Sequence, residues 1–142
     1  AILGASLHLG RHQKTAALFA RTHRERLNAV PSAFFSVSLG IASKRPGEAD
    51  EARRIARSFV EEAGFLPRRV VCFPGRLAYT HYGFLVRFIM KRIARREGGP
   101  TDTSRDHELT DWSEVARFAS DFADSLRPVR IRRVAVPAGL MH

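Results

Sequence analysis

Cysteine is almost missing from this 142-residue chain: Cys72 stands alone. A single thiol closes no internal disulfide, and its place in the apolar run Val70 to Phe73 points to buried packing rather than redox chemistry. The setting expected from it is reducing and cytoplasmic. Long apolar runs are missing too, and none approaches the roughly 20 residues needed to span a bilayer. The chain opens at Ala1 inside an apolar segment, with no initiator Met, basic leader or cleavage pattern, so the expectation is a processed chain or a portion of a longer one. Acidic residues are scarce, 14 against 24 Lys and Arg, which leaves a formal charge of +10. Such an excess suits an acidic partner or an anionic surface: nucleic acid, phospholipid headgroups and an anionic small molecule all satisfy it. Nucleic acid is set aside, because the cations are scattered over several helical stretches and no recognised nucleic-acid motif is present.

What the chain does have is an ordinary globular composition, 44% hydrophobic and 27% charged, in a length that supports one domain with a real core. Its organising stretch is Pro31 to Gly40, PSAFFSVSLG. Ala33, Phe34, Phe35 and Val37 form a strand-length run without helical period, so Ser32 to Val37 reads as a middle strand buried on both faces between helices. In such sheets ligands sit beyond the carboxyl ends of the strands, which singles out Ser36, Val37, Ser38, Leu39 and Gly40. Upstream, Ala1 to Leu3 reads as the end of a buried strand. Gly4-Ala5-Ser6 then reads as a turn allowing close approach, and the loop continues through Leu7, His8, Leu9 and Gly10. A helix is expected over His12 to Asn28, with Ala16, Leu18, Phe19 and Leu27 as its apolar residues.

Downstream, a helix from about Asp50 to Ala63 carries an inward stripe of Ala52, Ile55, Ala56, Phe59 and Val60, and Gly64 closes it. A strand at Arg69 to Phe73 breaks at Pro74-Gly75. A last helix is expected over Asp111 to Leu126, with Asp111 as its cap and Val115, Phe118, Ala119 and Phe122 on one face. Trp112, the only tryptophan, is expected to pack that helix onto the sheet. The alternation of strands and helices predicts an α/β doubly wound parallel sheet.

Residues 77–109 form an insertion that a minimal fold of this kind does not need. Within it, Phe84 to Arg96 combines Leu85, Phe88, Ile89 and Ile93 with Arg87, Lys91, Arg92, Arg95 and Arg96 on one helix. A helix of that kind lies in a membrane interface, or it is a core helix with a solvated basic face; both readings stay open. The tail 127–142 is basic and lacks a helical period, and is expected to be loosely ordered.

Four motifs in order, ILGASLHLGRH at Ile2 to His12, PSAFFSVSLG, GGPTDT at Gly98 to Thr103 and TDW at Thr110 to Trp112, resemble the flavodoxin-like, quinone-dependent protoporphyrinogen dehydrogenases of bacterial haem synthesis. The resemblance covers roughly Ala1 to Leu126. It implies a flavodoxin fold over 1–126, FMN bound at the strand ends, and oxidation of protoporphyrinogen IX with electrons passed to menaquinone at the cytoplasmic face of the membrane. Position by position, Ser6, Leu7, His8, Leu9 and Gly10 resemble the loop along the isoalloxazine. Ser36 to Gly40 resemble the second ring-contacting loop, and Thr101, Asp102 and Thr103 the segment that closes over the cofactor. The family's first strand, phosphate-cradling loop, first helix and second strand have no counterpart here. The expectation is therefore a chain truncated at its amino-terminal side, with an open, apolar sheet edge at Ala1 to Leu3. Implied partners are the porphyrinogen, a quinone and a membrane surface met through helix 84–96, with a homo-oligomer left open and no nucleic acid. A flavodoxin-like electron-transfer or protein-binding module without porphyrinogen turnover is the alternative.

Tyr79, His81 and Tyr82, with Arg76 and Arg87, suit the faces and propionates of a flat anionic tetrapyrrole; they equally suit packing under a long loop. His8 and His12 are four apart, but no Cys or carboxylate joins them, so no metal site is expected. Ser36 and Ser38 lack the His and acidic partners of a nucleophile at a recognisable elbow, and hydrogen bonds to a ring suit them better.

Overall fold

The computed structural model describes residues 1–127. In chain order its elements are β1 (Ile2–His8), β2 (Arg11–His12), α1 (Lys14–Thr22), α2 (Arg24–Asn28), β3 (Ala33–Val37), α3 (Glu48–Ala63), β4 (Arg69–Phe73), β5 (Arg76–Leu77), α4 (Phe84–Arg96), β6 (His107–Glu108) and α5 (Trp112–Ser125). Single 3-10 turns occupy Leu39–Ala42 and Tyr79–His81. The sheet order is β2-β1-β3-β4. Strand β3 is parallel to both neighbours, with Ala33 opposite Ile2 and Arg69, and Val37 opposite Ser6 and Phe73.

Period-two alternation sends the side chains of β3 to two different cores. Phe34 joins Ala20, Leu27, Ala56 and Phe59 beneath α1, α2 and α3. Ala33 and Phe35 face the other way, against Phe73, Phe118 and Phe122 beneath α5. Helices therefore cover both faces, as a strand without a polar side requires. The inner residues of α1 are Ala16, Ala17 and Ala20, small enough to bring the helix close to the sheet.

Helix α3 begins with Glu48, Asp50 and Glu51 at the positive end of its dipole, and Gly64 ends it at φ 64°. It starts two residues earlier than the sequence indicates, and Ala52, Ala56, Phe59 and Val60 of its expected stripe are buried. The helix expected over His12 to Asn28 turns a corner at His23, dividing α1 from α2. His23 N-H still bonds Phe19 O at 3.0 Å, and Leu27 N-H bonds His23 O at 2.9 Å. The corner swings Leu27 under the sheet and leaves Leu18 and Phe19 facing outward, 67% and 47% exposed.

Two further expectations need correction. Gly4-Ala5-Ser6 is not a turn: β1 runs on to His8 and reverses through Leu9 and Gly10, both at positive φ, into β2. Gly4 is a glycine because a Cβ there would run into the ring of Phe35, its partner on β3. Trp112 does not pack α5 onto the sheet. It is 64% exposed, because six residues at about 100° each put it roughly 240° around the helix from Phe118. Asp111 does cap that helix, accepting from Ser113 N-H at 2.8 Å. On the side of β1 away from β3, Ile2 to Ser6 have no strand partner among the described residues.

The insertion closes at its base where β5 and β6 pair antiparallel, Arg76 opposite Glu108 and Leu77 opposite His107. Its small core holds Leu77, Tyr79 and Ala94, with Leu39 and Leu109 against them. Helix α4 occupies the expected residues, but Arg87 and Ile93 lie on its inner side instead of with the exposed residues. Residues 128–142 of the expected basic tail lie outside the described residues.

Gly4→Ala should lower stability by about 1–3 kcal/mol, the usual cost of forcing extra volume into a filled site. Adding Phe35→Leu should return part of that loss. Urea denaturation of the two single variants and the double variant measures the coupling, and simple additivity would show that the Phe35 ring is not what excludes the Cβ.

Candidate functional site

The carboxyl ends of β1, β3 and β4 share one edge of the parallel sheet, and both loops singled out in the sequence begin there. Of the first, Ser6, Leu7 and His8 end β1, while Leu9 and Gly10 form the tip of the hairpin. Leu9 combines φ 48° with 97% exposure. A non-glycine residue held in the left-handed region with its apolar side chain in solvent is a feature that folding alone does not require.

The second loop divides by function. Ser36 is 1% exposed and points under α1 and α3, with its Oγ 2.8 Å from His12 Nε2. That corrects the expectation for its hydroxyl: Ser36 ties β2 to β3 and faces away from any ligand at the edge. Val37 is half-buried. Ser38 caps the 3-10 turn, its Oγ accepting from Gly40 N-H at 3.2 Å, while its own N-H bonds Phe73 O at 2.9 Å. Leu39 and Gly40 begin that turn.

His12 was weighed in the sequence only as a metal ligand, and its place is structural. Its ring packs 4.7 Å from Phe59 and 5.6 Å from Phe34, centroid to centroid. Burial holds its pKa below the ordinary 6.5. His8 is exposed at the end of β1. Among the described residues no group of three or more His, Cys, Asp or Glu side chains is placed to hold a metal. Cys72 is half-buried, and burial raises its thiol pKa, which leaves it protonated and unreactive.

The residues proposed for a tetrapyrrole are mostly engaged elsewhere. Tyr79 is fully buried and donates its hydroxyl to Pro100 O at 3.0 Å, so it offers no face for stacking. Arg87 donates to Tyr79 O at 3.0 Å and to Tyr82 O at 3.3 Å. Arg76 pairs with Asp106, which also accepts from Thr80 N-H and Oγ, each at 2.8 Å. These bonds hold the Asp106 carboxyl far below the usual carboxylate range, the Thr80 N-H first and Arg76 second. His81 is exposed, with its Nδ1 3.4 Å from Asp106, and Tyr82 is half-buried. Thr101, Asp102 and Thr103 fold on themselves. Asp102 accepts from Ser104 N-H and Oγ at 3.0 and 2.6 Å, and among the described residues none of the three bonds a strand-end loop.

Sequence reasoning missed the residue that joins insertion and site. Glu97, at the end of α4, accepts from Ser43 Oγ at 2.7 Å and from Arg45 at 3.2 Å, and its carbonyl accepts from Lys44 N-H at 3.0 Å. These partners lie more than fifty residues away in the chain, so no local pattern announces them. A cavity of about 20 Å³ remains behind the clamp, lined by Leu39, Ile93 and Leu109 among others. A larger groove runs along β4 between α3 and α5. Three of the four Arg side chains lining it are paired, Arg53 with Asp50 at 3.0 Å, Arg69 with Asp121 at 2.8 Å and Arg117 with Glu114 at 4.0 Å, while Arg57 has no ion pair among the described residues.

Residues 1–104 match the flavodoxin domain model, and the chain belongs to that family. Within it, protoporphyrinogen IX dehydrogenase (quinone) of Escherichia coli strain K12 is 36% identical over 122 residues, which cover 86% of this chain and 67% of that protein. The Leishmania major protein of the same name is 37% identical over 122 residues, 86% of this chain and 52% of its own length. The resemblance carried by the four motifs is thus shown. No solved structure matches the chain.

A flavodoxin domain implies a flavin, and the described residues fit part of one. The exposed Leu9 and the backbone around Ser38 suit the edge and face of a flat ring. A phosphate needs a nest of N-H groups, Gly- and Ser/Thr-rich, at a helix start. Helices α3 and α5 open on Glu48, Asp50, Glu51 and on Glu114 behind the Asp111 cap, which repel an anion. Helices α1 and α4 open without acids, but no such loop leads from a parallel strand into either.

Because the His12 pKa is depressed in the fold, the unfolded chain takes up its proton at higher pH than the folded one. The stability contributed by neutral His12 is present above about pH 6.5 and is lost as pH falls through the folded value. Between pH 7.5 and 5 the wild type should lose more stability than His12→Gln, measured by urea midpoints. Equal losses would show that His12 does not carry that part of the pH dependence.

Proposed function

We propose that this chain supplies the ring-contacting part of an FMN-dependent oxidoreductase that oxidises protoporphyrinogen IX to protoporphyrin IX, in haem biosynthesis, with menaquinone as electron acceptor at the cytoplasmic face of a membrane. The observation that carries the reading is the identity of 36% over 86% of the chain to a protein named for that reaction. It is supported by the convergence of Ser6 to Gly10 and Ser36 to Gly40 on one strand-end edge. Bound flavin would supply a two-electron acceptor for hydrogen removed from a porphyrinogen carbon.

The chain's own part is orientation. The β1–β2 hairpin, held to β3 through His12 and Ser36, presents Leu9 and Gly10 toward the ring. The turn capped by Ser38 presents backbone and hydroxyl groups to ring nitrogens and carbonyls. Thr101, Asp102 and Thr103, in the insertion at 77–109 of a flavodoxin-like domain over 1–126, would close over the cofactor. The described residues supply no phosphate cradle, and no side chain among them acts as a convincing acid or base.

A flavodoxin-like electron-transfer or protein-binding module is the second reading. It is favoured by one observation: Tyr79, Arg76 and Arg87 are spent on internal contacts, which leaves His81 and Tyr82 as the remaining candidates to grip a porphyrinogen.

Titration with FMN, followed by visible absorbance and fluorescence quenching, should be run on this chain and on a form extended upstream by whatever its gene encodes. The extended form is expected to bind, and with FMN and a quinone to turn anaerobic protoporphyrinogen into fluorescent protoporphyrin. Flavin binding without porphyrin formation would establish the electron-transfer reading, and no flavin binding by either form would remove both flavin-dependent readings and leave the protein-binding module.

A further inference from the structure

Helix α4 shows solvent a surface that the fold does not use. Phe84, Leu85, Phe88 and Ile89 are 88%, 68%, 60% and 47% exposed. At 3.6 residues per turn they share one face with Arg92, Arg95 and Arg96, which are also exposed. The opposite face holds the helix to the protein, through Arg87 on the Tyr79 and Tyr82 carbonyls, Met90 and Ala94 in the insertion's core, and Glu97 on Ser43 and Arg45.

The exposed face is therefore divided along the helix axis, apolar in its first half and cationic in its second. Eight residues separate Phe84 from Arg92, about 12 Å at 1.5 Å per residue. Among the described residues no ion pair involves Lys91, Arg92, Arg95 or Arg96. Core packing alone would have turned the phenylalanines inward, and solvation alone would have kept them off the surface.

A bilayer presents the same division in the same order, with acyl chains inside a layer of phosphates. We propose that α4 docks on an anionic phospholipid surface with its amino-terminal end leading: Phe84, Leu85, Phe88 and Ile89 enter the acyl boundary, and Arg92, Arg95 and Arg96 stay at the phosphates. The depth required, one to two helical turns, is of the order of the 5–10 Å by which interfacial helices bury their apolar side. The formal charge of +10 favours the same partner. No helix of the described residues is long and apolar enough to cross a membrane, so the contact is with one leaflet. Through the Glu97 clamp, the docked helix stands next to the loop that follows Ser36 to Gly40, at the rim where a quinone from the lipid would arrive. The docking itself stands on α4 alone, and lipid binding can be measured whether or not flavin binds.

The test is co-sedimentation of the full chain with vesicles of phosphatidylcholine alone and of phosphatidylcholine with phosphatidylglycerol, at low and high salt. Binding is expected to the anionic vesicles and to weaken with salt. The exposed pair Phe84→Ser, Phe88→Ser should lower partitioning at least ~10-fold while circular dichroism stays unchanged. Arg92→Gln with Arg96→Gln should remove much of the preference for anionic lipid. Indifference to lipid charge, or unchanged binding by the phenylalanine variant, would overturn the proposal. So would sedimentation showing a lipid-free oligomer that the same phenylalanine variant turns into monomer, since the face would then be a contact between copies.

Discussion

Burial of β3 on both faces is the constraint from which the rest of the arrangement follows. A parallel strand cannot pair with its sequence neighbour through a tight turn, so each connection must cross the sheet, and each crossing brings a helix with it. Phe34 lies nearly parallel to Phe59, ring centroids 4.8 Å apart, while Phe73 meets Phe118 edge-on at 6.0 Å on the other face. One strand thus holds two cores in register. The same register brings the ends of β1, β3 and β4 to one edge, and in that way packing decides where a ligand can be met.

The insertion is held by a different kind of interaction. With a core built around Leu77, Tyr79 and Ala94, it buries too little apolar surface to be fixed by packing alone. Its geometry instead comes from polar contacts: Arg87 on two carbonyls, Tyr79 on the Pro100 carbonyl, Asp106 on the Thr80 N-H, the Glu97 carboxylate on the side chains of Ser43 and Arg45, and the Glu97 carbonyl on the Lys44 N-H. Hydrogen bonds of this sort are directional, so they set position where a small core cannot. They also explain why arginine and tyrosine, the residue types that would suit a tetrapyrrole, are largely unavailable to one here.

The elements legible in the sequence were those with a local cause. Strands β3 and β4 are bounded by Pro31 and by Pro74-Gly75, α3 by its acidic start and Gly64, and α5 by its Asp111 cap; all lie within two residues of expectation. What escaped depends on partners distant in the chain. Gly4 is explained by Phe35 across the sheet, the inward hydroxyl of Ser36 by His12, and the position of Arg87 by carbonyls that only the 3-10 turn brings near. Trp112 misled because tryptophan is usually buried, whereas its angle around α5 excludes it from the core. At the candidate site, the loops were readable because their strands were readable; the use each loop makes of its side chains was not.

The charge of the chain is distributed in a way that separates two tasks. Acids are placed where the fold needs them, at the starts of α3 and α5 and in the clamps Asp106 and Glu97. Those placements make the starts of α3 and α5 poor receivers for a phosphate. Among the described residues, the cations of α4 that make no ion pair are instead concentrated on a face without a partner, behind four exposed apolar side chains. A surface that served only solubility would not need Phe84 and Phe88, and a buried surface would not need Arg92 and Arg96. The two features are compatible where apolar and anionic layers lie a few ångströms apart, which makes a lipid leaflet a better match to this face than either bulk water or a protein core.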